Sequence, residues 1–359
     1  MLRVRPMIAV ALTALVVLAA VTLWAGRPQT EAAEPPLPTV GVQFHGLWQS
    51  YTDEERVIVL DRLVEAGVGW VRIDLSWAML QPEPGQTYSE WGTDLADRVI
   101  GMAADRGLQV LATFWLTPGW ANGGAGERAA PTNPEDYGAA AAWAADHFGD
   151  RVAAWEIWNE PNDPRFFTGA DPATYTSLLR ASYRAIKDAE PEATVVFGGT
   201  AYNDSEWIEQ AYAAGAGDHF DVMATHAYQA FSDTEPEAPD DGTKWRLTHV
   251  PAVHELMARN GDADKAIWFT EFGWSSHEEN DPDVAHYERG VSPELQADYL
   301  ARTLHLLADR YPFVTHVFWY RERDSNRGSV HIDNYGLLDR DLQPKPVWER
   351  LQQELRGRR

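Results

Sequence analysis

Two glutamates carry the pattern from which chemistry can be read. Glu160 closes the run "VAAWEIWNEP" and Glu271 stands near the end of "AIWFTEFGW". Each is an apolar stretch that ends in a carboxylate among aromatic residues rather than in ordinary turn residues. Two carboxylates facing each other across a cleft are what cleavage of a glycosidic bond requires, one protonated to release the leaving oxygen and one ionised to attack or to activate water. Their surroundings must push the two pKa values apart. Either glutamate alone reads equally well as a helix cap or a rim ion pair; it is the pair, with aromatics that stack sugar rings and exclude water, that makes the chemistry specific.

Whether the pair can meet depends on the elements that carry it. From Thr39 onward, short β-type runs alternate with longer helical stretches. The runs cover residues 40–46, 70–77, 109–118, 152–161, 194–201, 220–228, 266–274 and 314–322. Between them lie segments such as "DEERVIVLDRLVEAG" and "DPATYTSLLRASYRAIKDAEP", several of which open with Asp, Thr or Pro and close at Gly. Eight β-then-α units predict an α/β fold of the (β/α)8 TIM-barrel type, a single catalytic domain over residues 39–359. A doubly wound open sheet is the competing topology, but no Gly-rich phosphate loop follows the first run. In a barrel the strand C-termini share one face, so the fourth and seventh runs deliver Glu160 and Glu271 to one cleft.

"WEIWNEPN" on the fourth run together with "FTEFGW" on the seventh resembles clan A of the retaining glycoside hydrolases. Within the clan the pattern is most similar to family 39 and related bacterial exopolysaccharide-cleaving glycosidases. The resemblance implies that Glu160 is the general acid/base and Glu271 the nucleophile of a double displacement. It implies that Asn159 binds the sugar hydroxyl beside the reacting carbon and that Arg72, in "VRIDLSW", keeps the nucleophile ionised. Arg72 also shares a strand face with Asp74, so a plain ion pair between them is the alternative. His226 and Tyr228, in "ATHAY", match a sixth-strand His-x-Tyr, one to orient the acid/base or bind sugar, Tyr228 to donate to the nucleophile; a satisfied core histidine is the bland reading of His226. Trp319 on the eighth run corresponds to an aromatic platform under the reacting sugar. His45, Trp115 and Trp274 stand at further strand ends and are expected to line the same bowl, and the loop over residues 229–247 is expected to shape it.

Composition narrows the partners. A formal charge of −24 argues against nucleic acid, which needs excess Lys and Arg to displace phosphate counterions. No cysteine is present, and the 11 histidines form no HExxH pair, so no cofactor or catalytic metal is expected. The acidic stretch "HEENDPD" lacks the spacing of a calcium loop and reads as a solvated turn. In "RERDSNRGS" three arginines either bind an acidic or substituted sugar or form a surface ion-pair network. Residues 1–25, with Arg3 and Arg5 before an apolar run, read as a signal peptide or a single-span membrane anchor, and 26–38 as a Pro-rich linker; the enzyme is therefore expected outside the cytoplasm or on the outer face of its membrane. The expected activity is retaining hydrolysis of an extracellular polysaccharide or glycoconjugate. An envelope transglycosylase and a non-catalytic carbohydrate-binding barrel are the alternatives, and sugar specificity, endo or exo action and oligomeric state stay open.

Overall fold

A computed structural model describes residues 35–85, 87–277 and 285–357. The expected signal or anchor segment, most of the linker and all but His277 of the acidic stretch lie outside the described residues. The described residues from Leu37 onward form one compact unit. No helix among the described residues is long and apolar enough to cross a membrane.

All eight runs form strands, in nine segments: β1 (Thr39–Gln43), β2 (Trp70–Ser76), β3 (Gln109–Trp115), β4 (Ala154–Ile157), β5 (Thr194–Phe197), β6 (Thr200–Ala201), β7 (Met223–His226), β8 (Ile267–Phe272) and β9 (Val314–Trp319). Every ladder between them is parallel, in the order β5-β4-β3-β2-β1-β9-β8-β7-β6. The two ends of that order, β5 and β6, are halves of one stave interrupted at Gly198 and Gly199, and a parallel bridge from Val196 to Val222 closes the ring. The fifth run was expected to be continuous. It breaks because β4 and β7 crowd it: a Cβ on Gly198 would lie 2.4 Å from the Ile157 carbonyl oxygen, and one on Gly199 2.4 Å from His226 Nε2. Only glycine leaves room for the β4 backbone at one position and the His226 ring at the other.

Among the described residues, eight helices of nine residues or more surround the staves, from Asp53–Ala66 after β1 to Pro346–Arg356 after β9. Their starts are fixed locally. Thr52 forms a capping box with Glu55, and Asn133, Asp171 and Ser292 each accept a backbone N–H at the head of a helix that begins with Pro. The main apolar core lies between strands and helices, while a second cluster fills the barrel itself with Leu111, Ala154, Val196, Ala224, Trp268 and Phe318, against which Trp70 packs. This second cluster is the barrel's floor.

Above that floor the same strands turn polar. Stepping by two along each strand from Trp70, Leu111 and Ala154 reaches Arg72, Thr113 and Glu156, all fully buried. The inward face therefore carries an apolar plug at the N-terminal end and a charged layer at the C-terminal end. The site rests on that layer.

Candidate active site

Arg72 is the centre of the charged layer. Its guanidinium donates from Nε to Glu156 Oε2 at 2.7 Å, from Nη1 to Gln43 Oε1 at 2.7 Å and Glu271 Oε1 at 2.6 Å, and from Nη2 to Asn159 Oδ1 at 2.8 Å. The alternative of an ion pair with Asp74 is not what forms; Asp74 accepts from Gln43 Nε2 at 3.2 Å instead. Glu156 is further held by Thr113 Oγ1 at 2.5 Å and by the Gly199 amide at 3.1 Å. By taking the Asn159 carbonyl oxygen, Arg72 fixes that amide with its amino group left for another partner.

Two departures from regular strand geometry bring the glutamates to this layer. β4 ends at Ile157, and Trp158 and Glu160 follow with φ of 71° and 44°, left-handed values that non-glycine residues rarely adopt. On β8 the register slips between Phe269 and Phe272, a bulge that spoils the two-residue alternation and pairs Glu271 with His226. Glu160 then lies with Oε1 2.9 Å from His226 Nδ1, and that same nitrogen is 3.7 Å from Glu271 Oε2. One oxygen of each glutamate and one His226 nitrogen all fall within 4.8 Å of one another. Tyr228 Oη donates to Glu271 Oε2 at 2.9 Å.

The two carboxyls feel opposite surroundings. Burial above all, with the negative charge of Glu271 nearby, raises the Glu160 pKa above the usual carboxylate value despite its contact with His226. Burial also acts on Glu271, but His226, Arg72 and the Tyr228 hydroxyl outweigh it and hold that pKa below the usual value. For His226, burial disfavours the charged ring, and the charges of Glu271 and Glu160 overcome it to raise the pKa. Glu160, His226 and Glu271 also have the spacing of a three-ligand metal site, yet the Arg72 guanidinium, 2.6 Å from Glu271, opposes a second cation there.

These residues face a cleft of about 1360 Å³. Of the residues expected at the site, His45, Trp115, Asn159, Glu160, Tyr228 and Glu271 line it, whereas Arg72 and His226 lie directly beneath. His45 is held from below by Glu322, whose carboxylate accepts from the His45 amide at 3.2 Å, sits 3.0 Å from Nδ1 and takes the Tyr51 hydroxyl at 2.6 Å. Burial would raise the Glu322 pKa, but His45, Arg321 and Tyr51 bring it down to about 2.

Trp274 and Trp319 do not reach the cleft. Trp319 is wholly buried with its indole N–H on the Tyr335 carbonyl, and Trp274 is 2% exposed with its N–H on the Thr234 carbonyl. Each points into the shell between strands and helices; at the end of β9 it is the next residue, Tyr320, that faces the cleft, beside Tyr228 and Tyr335. The loop after β7 lines the cleft as expected, through Phe231, Lys244, Trp245 and neighbours. Sequence reasoning missed Glu156, Gln43, Tyr320 and Tyr335. A carboxylate in the middle of the apolar "VAAWEIW" was the available signal for Glu156, since a buried strand tolerates a charge only with a partner.

Known proteins resemble this chain in sequence and in fold. The family model described as cellulase (glycosyl hydrolase family 5) matches residues 30–308. A β-xylosidase of Geobacillus stearothermophilus is 26% identical over 219 residues, which cover 55% of this chain and 40% of that protein, so the chain spans well under half the length of this relative. A family 39 glycoside hydrolase from Bacteroides cellulosilyticus superposes with a TM-score of 0.67 at 25% identity, covering 88% of this chain and 63% of the other. A family 5 protein from Streptomyces cattleya, solved with Manβ1-4GlcNAc, has the same fold with a TM-score of 0.69 at 18% identity, covering 90% and 81%.

The buried layer predicts the cost of disturbing it. Glu156→Gln keeps the shape but leaves Arg72 short of one charge partner, and urea denaturation is expected to show a loss of about 3 kcal/mol; an unchanged midpoint would mean that Glu156 does not stabilise the layer.

Proposed function

The chain belongs to the cellulase family, glycosyl hydrolase family 5, and from its site we propose that it cleaves β-linked saccharides by double displacement with retention. The observation that carries this reading is the pair of carboxylates, with oxygens inside 4.8 Å of one another and with surroundings that push their pKa values in opposite directions, Glu160 up and Glu271 down. Retaining enzymes hold the two carboxyls roughly 5–5.5 Å apart, whereas inverting ones leave about 6.5–9.5 Å for a water.

In the first step Glu271, ionised, attacks the anomeric carbon while Glu160 gives its proton to the departing glycosidic oxygen. The bond to the leaving group breaks as the glycosyl ester to Glu271 forms. In the second step Glu160, now ionised, takes a proton from water; the resulting oxygen attacks the same carbon, and Glu271 leaves as carboxylate. The cycle returns both groups to their starting states. Asn159, with its amino group free, donates to the sugar hydroxyl next to the reacting carbon, an interaction that helps most if it tightens in the transition state. His226 holds Glu160 in place, and Tyr228 and Tyr320 supply the aromatic wall against which the sugar packs. The names of the relatives, a β-xylosidase and a protein holding Manβ1-4GlcNAc, support a β-linked substrate. The basic and then apolar N-terminal stretch supports placing the enzyme among exported proteins that act on an extracellular polysaccharide or glycoconjugate.

Glu271→Gln is expected to abolish turnover of aryl β-glycosides with the circular dichroism spectrum unchanged. Glu160→Ala is expected to lose about 10²–10⁴-fold on substrates with poor leaving groups, much less on activated ones, and to regain rate with azide as a glycosyl azide forms. Equal losses on both substrate types without azide rescue would remove Glu160 from the acid role.

Activity requires Glu271 ionised and Glu160 protonated, so kcat/KM falls below the Glu271 pKa and above that of Glu160. Tyr228→Phe removes a hydrogen bond to the ionised form of Glu271. The Glu271 pKa then rises and the acid limb moves to higher pH, by about one unit for the loss of one bond to a charged group. A pH–rate profile with an unmoved acid limb would assign that limb to another group.

A further inference from the structure

A second pocket, of about 650 Å³, opens beside the catalytic cleft and shares Trp48 and Arg327 with it. Its wall contains four arginines, Arg321, Arg323, Arg327 and Arg340, in a protein whose net charge is −24. The acidic residues nearby already have partners: Asp324 is paired with Lys345 at 2.9 Å and Glu55 with Arg323 at 3.0 Å, Glu322 is held by His45 and Tyr51, and Asp333 accepts from the Ser325 hydroxyl and the amides of Arg327, Gly328 and Ser329. Among the described residues, Arg327 and Arg340 form no ion pair. Arg321 is 1% exposed, and although its Nη1 donates to Ser325 at 2.9 Å its Nε has no partner.

These guanidiniums are also held in place. Arg321 and Arg327 lie over the Trp48 ring at 4.8 and 4.3 Å, and Arg323 lies 3.9 Å over Tyr51. Stacked guanidiniums around a concave surface, with Arg327 and Arg340 outside any ion pair, are suited to a planar or tetrahedral oxyanion, which they grip through two N–H groups at once. The net charge of −24 repels an anionic ligand at long range, so a local basic patch is needed to hold its charge, and this pocket supplies one.

We infer that this pocket is a subsite for a sugar carrying an anionic substituent, a carboxylate or a sulfate, in the same chain whose glycosidic bond is cut next door. The inference rests on the glycosidase reading and adds the substrate's charge to it. It follows from continuity: a saccharide leaving the cleft past His45 crosses Trp48, whose ring lies 3.9 Å from that of His45, and enters the arginine-lined pocket. Arg321, buried with a free N–H, and Arg327, at the junction, meet the substituent, and Arg340 closes the outer side.

The test uses Glu271→Gln protein, so that binding is read without turnover, titrated by NMR with methyl glucuronoside, methyl glucoside 6-sulfate, methyl glucoside and inorganic sulfate. At least one anionic glycoside is expected to bind about tenfold tighter than the neutral one, and this preference is expected to vanish when Arg327→Ala and Arg340→Ala are added. Preference for the glucuronoside assigns a uronate and preference for the sulfate ester a sulfated sugar. Equal binding of charged and neutral glycosides, no binding of any glycoside, a preference that survives the two substitutions, or inorganic sulfate binding as tightly as the glycosides would each overturn the subsite. Hydrolysis of neutral aryl glycosides by the unmutated protein is scored separately: if it persists when the preference is absent, only the subsite fails, and if it is absent the glycosidase reading fails first.

Discussion

Everything at the site depends on burying one guanidinium. Arg72 lies at the centre of the barrel with no access to water, and a charge in that position survives only if protein groups replace its hydration. Glu156 and Glu271 supply the charge, and Gln43 and Asn159 supply neutral oxygens. The requirement runs through four staves, since these partners come from β1, β4 with the turn that follows it, and β8, while Arg72 itself is on β2. A lysine would not serve, because a point charge cannot direct planar bonds to four acceptors at once. The same contacts that satisfy Arg72 help hold the Glu271 pKa down and set the Asn159 amide, so the cost of burial and the electrostatics of Glu271 have one cause.

The second consequence is asymmetry between two chemically identical side chains. Glu271 is in direct contact with Arg72 and Tyr228, whereas the Glu160 carboxyl has its close contact with His226 and feels the negative charge of Glu271 nearby. Burial bears on both, but it is opposed strongly at one and weakly at the other. His226 is the hinge of this arrangement, near enough to each carboxyl for its own charge to rise when theirs does. It can approach only because Gly199 offers no side chain, and the Gly199 amide is in turn bound by Glu156. A break in the fifth stave, which on its own looks like a defect, thus belongs to the charged layer.

Much of this was legible in the sequence because it follows from period and position. Alternation of β and α runs gave the barrel, strand ends gave Glu160 and Glu271, and the two-residue period put Arg72 on the inner face. What stayed hidden depends on register and on loops. Trp319 and Trp274 sit at strand ends as plainly as the glutamates do, but whether such a residue faces the cleft or the helical shell is decided by the last peptide of the strand, and a slip of one residue reverses it. Tyr320 takes the place given to Trp319 for that reason. Tyr335 reaches the cleft from a loop whose path no local pattern records. Glu156 was missed for the opposite reason: it lies in a regular strand, where a charge looks like an interruption until its partner on another strand is known.

Both cleft glutamates, Glu160 and Glu271, stand where the backbone leaves regular geometry, and a period of two explains why it must. In an undisturbed strand Asn159 and Glu160 would face opposite sides, as would Thr270 and Glu271. A site that needs neighbours facing one way has to break the alternation. After β4 this is done with left-handed residues at Trp158 and Glu160, a strain of roughly 1–3 kcal/mol each for non-glycine residues. On β8 it is done with a bulge, which leaves the ladder with its neighbours intact on either side of the slip. The strain persists because its surroundings over-determine it: the Trp158 amide is bound by the Phe114 carbonyl, the Glu160 amide by the Gly199 carbonyl, and the Trp158 ring is buried completely. Relaxing either turn would expose that ring or free those amides, each at a cost comparable to the strain itself. The aromatic residue before the Asn-Glu pair therefore acts as the anchor that holds two polar neighbours on the same side, which is why an apolar strand ends so abruptly in an amide and an acid.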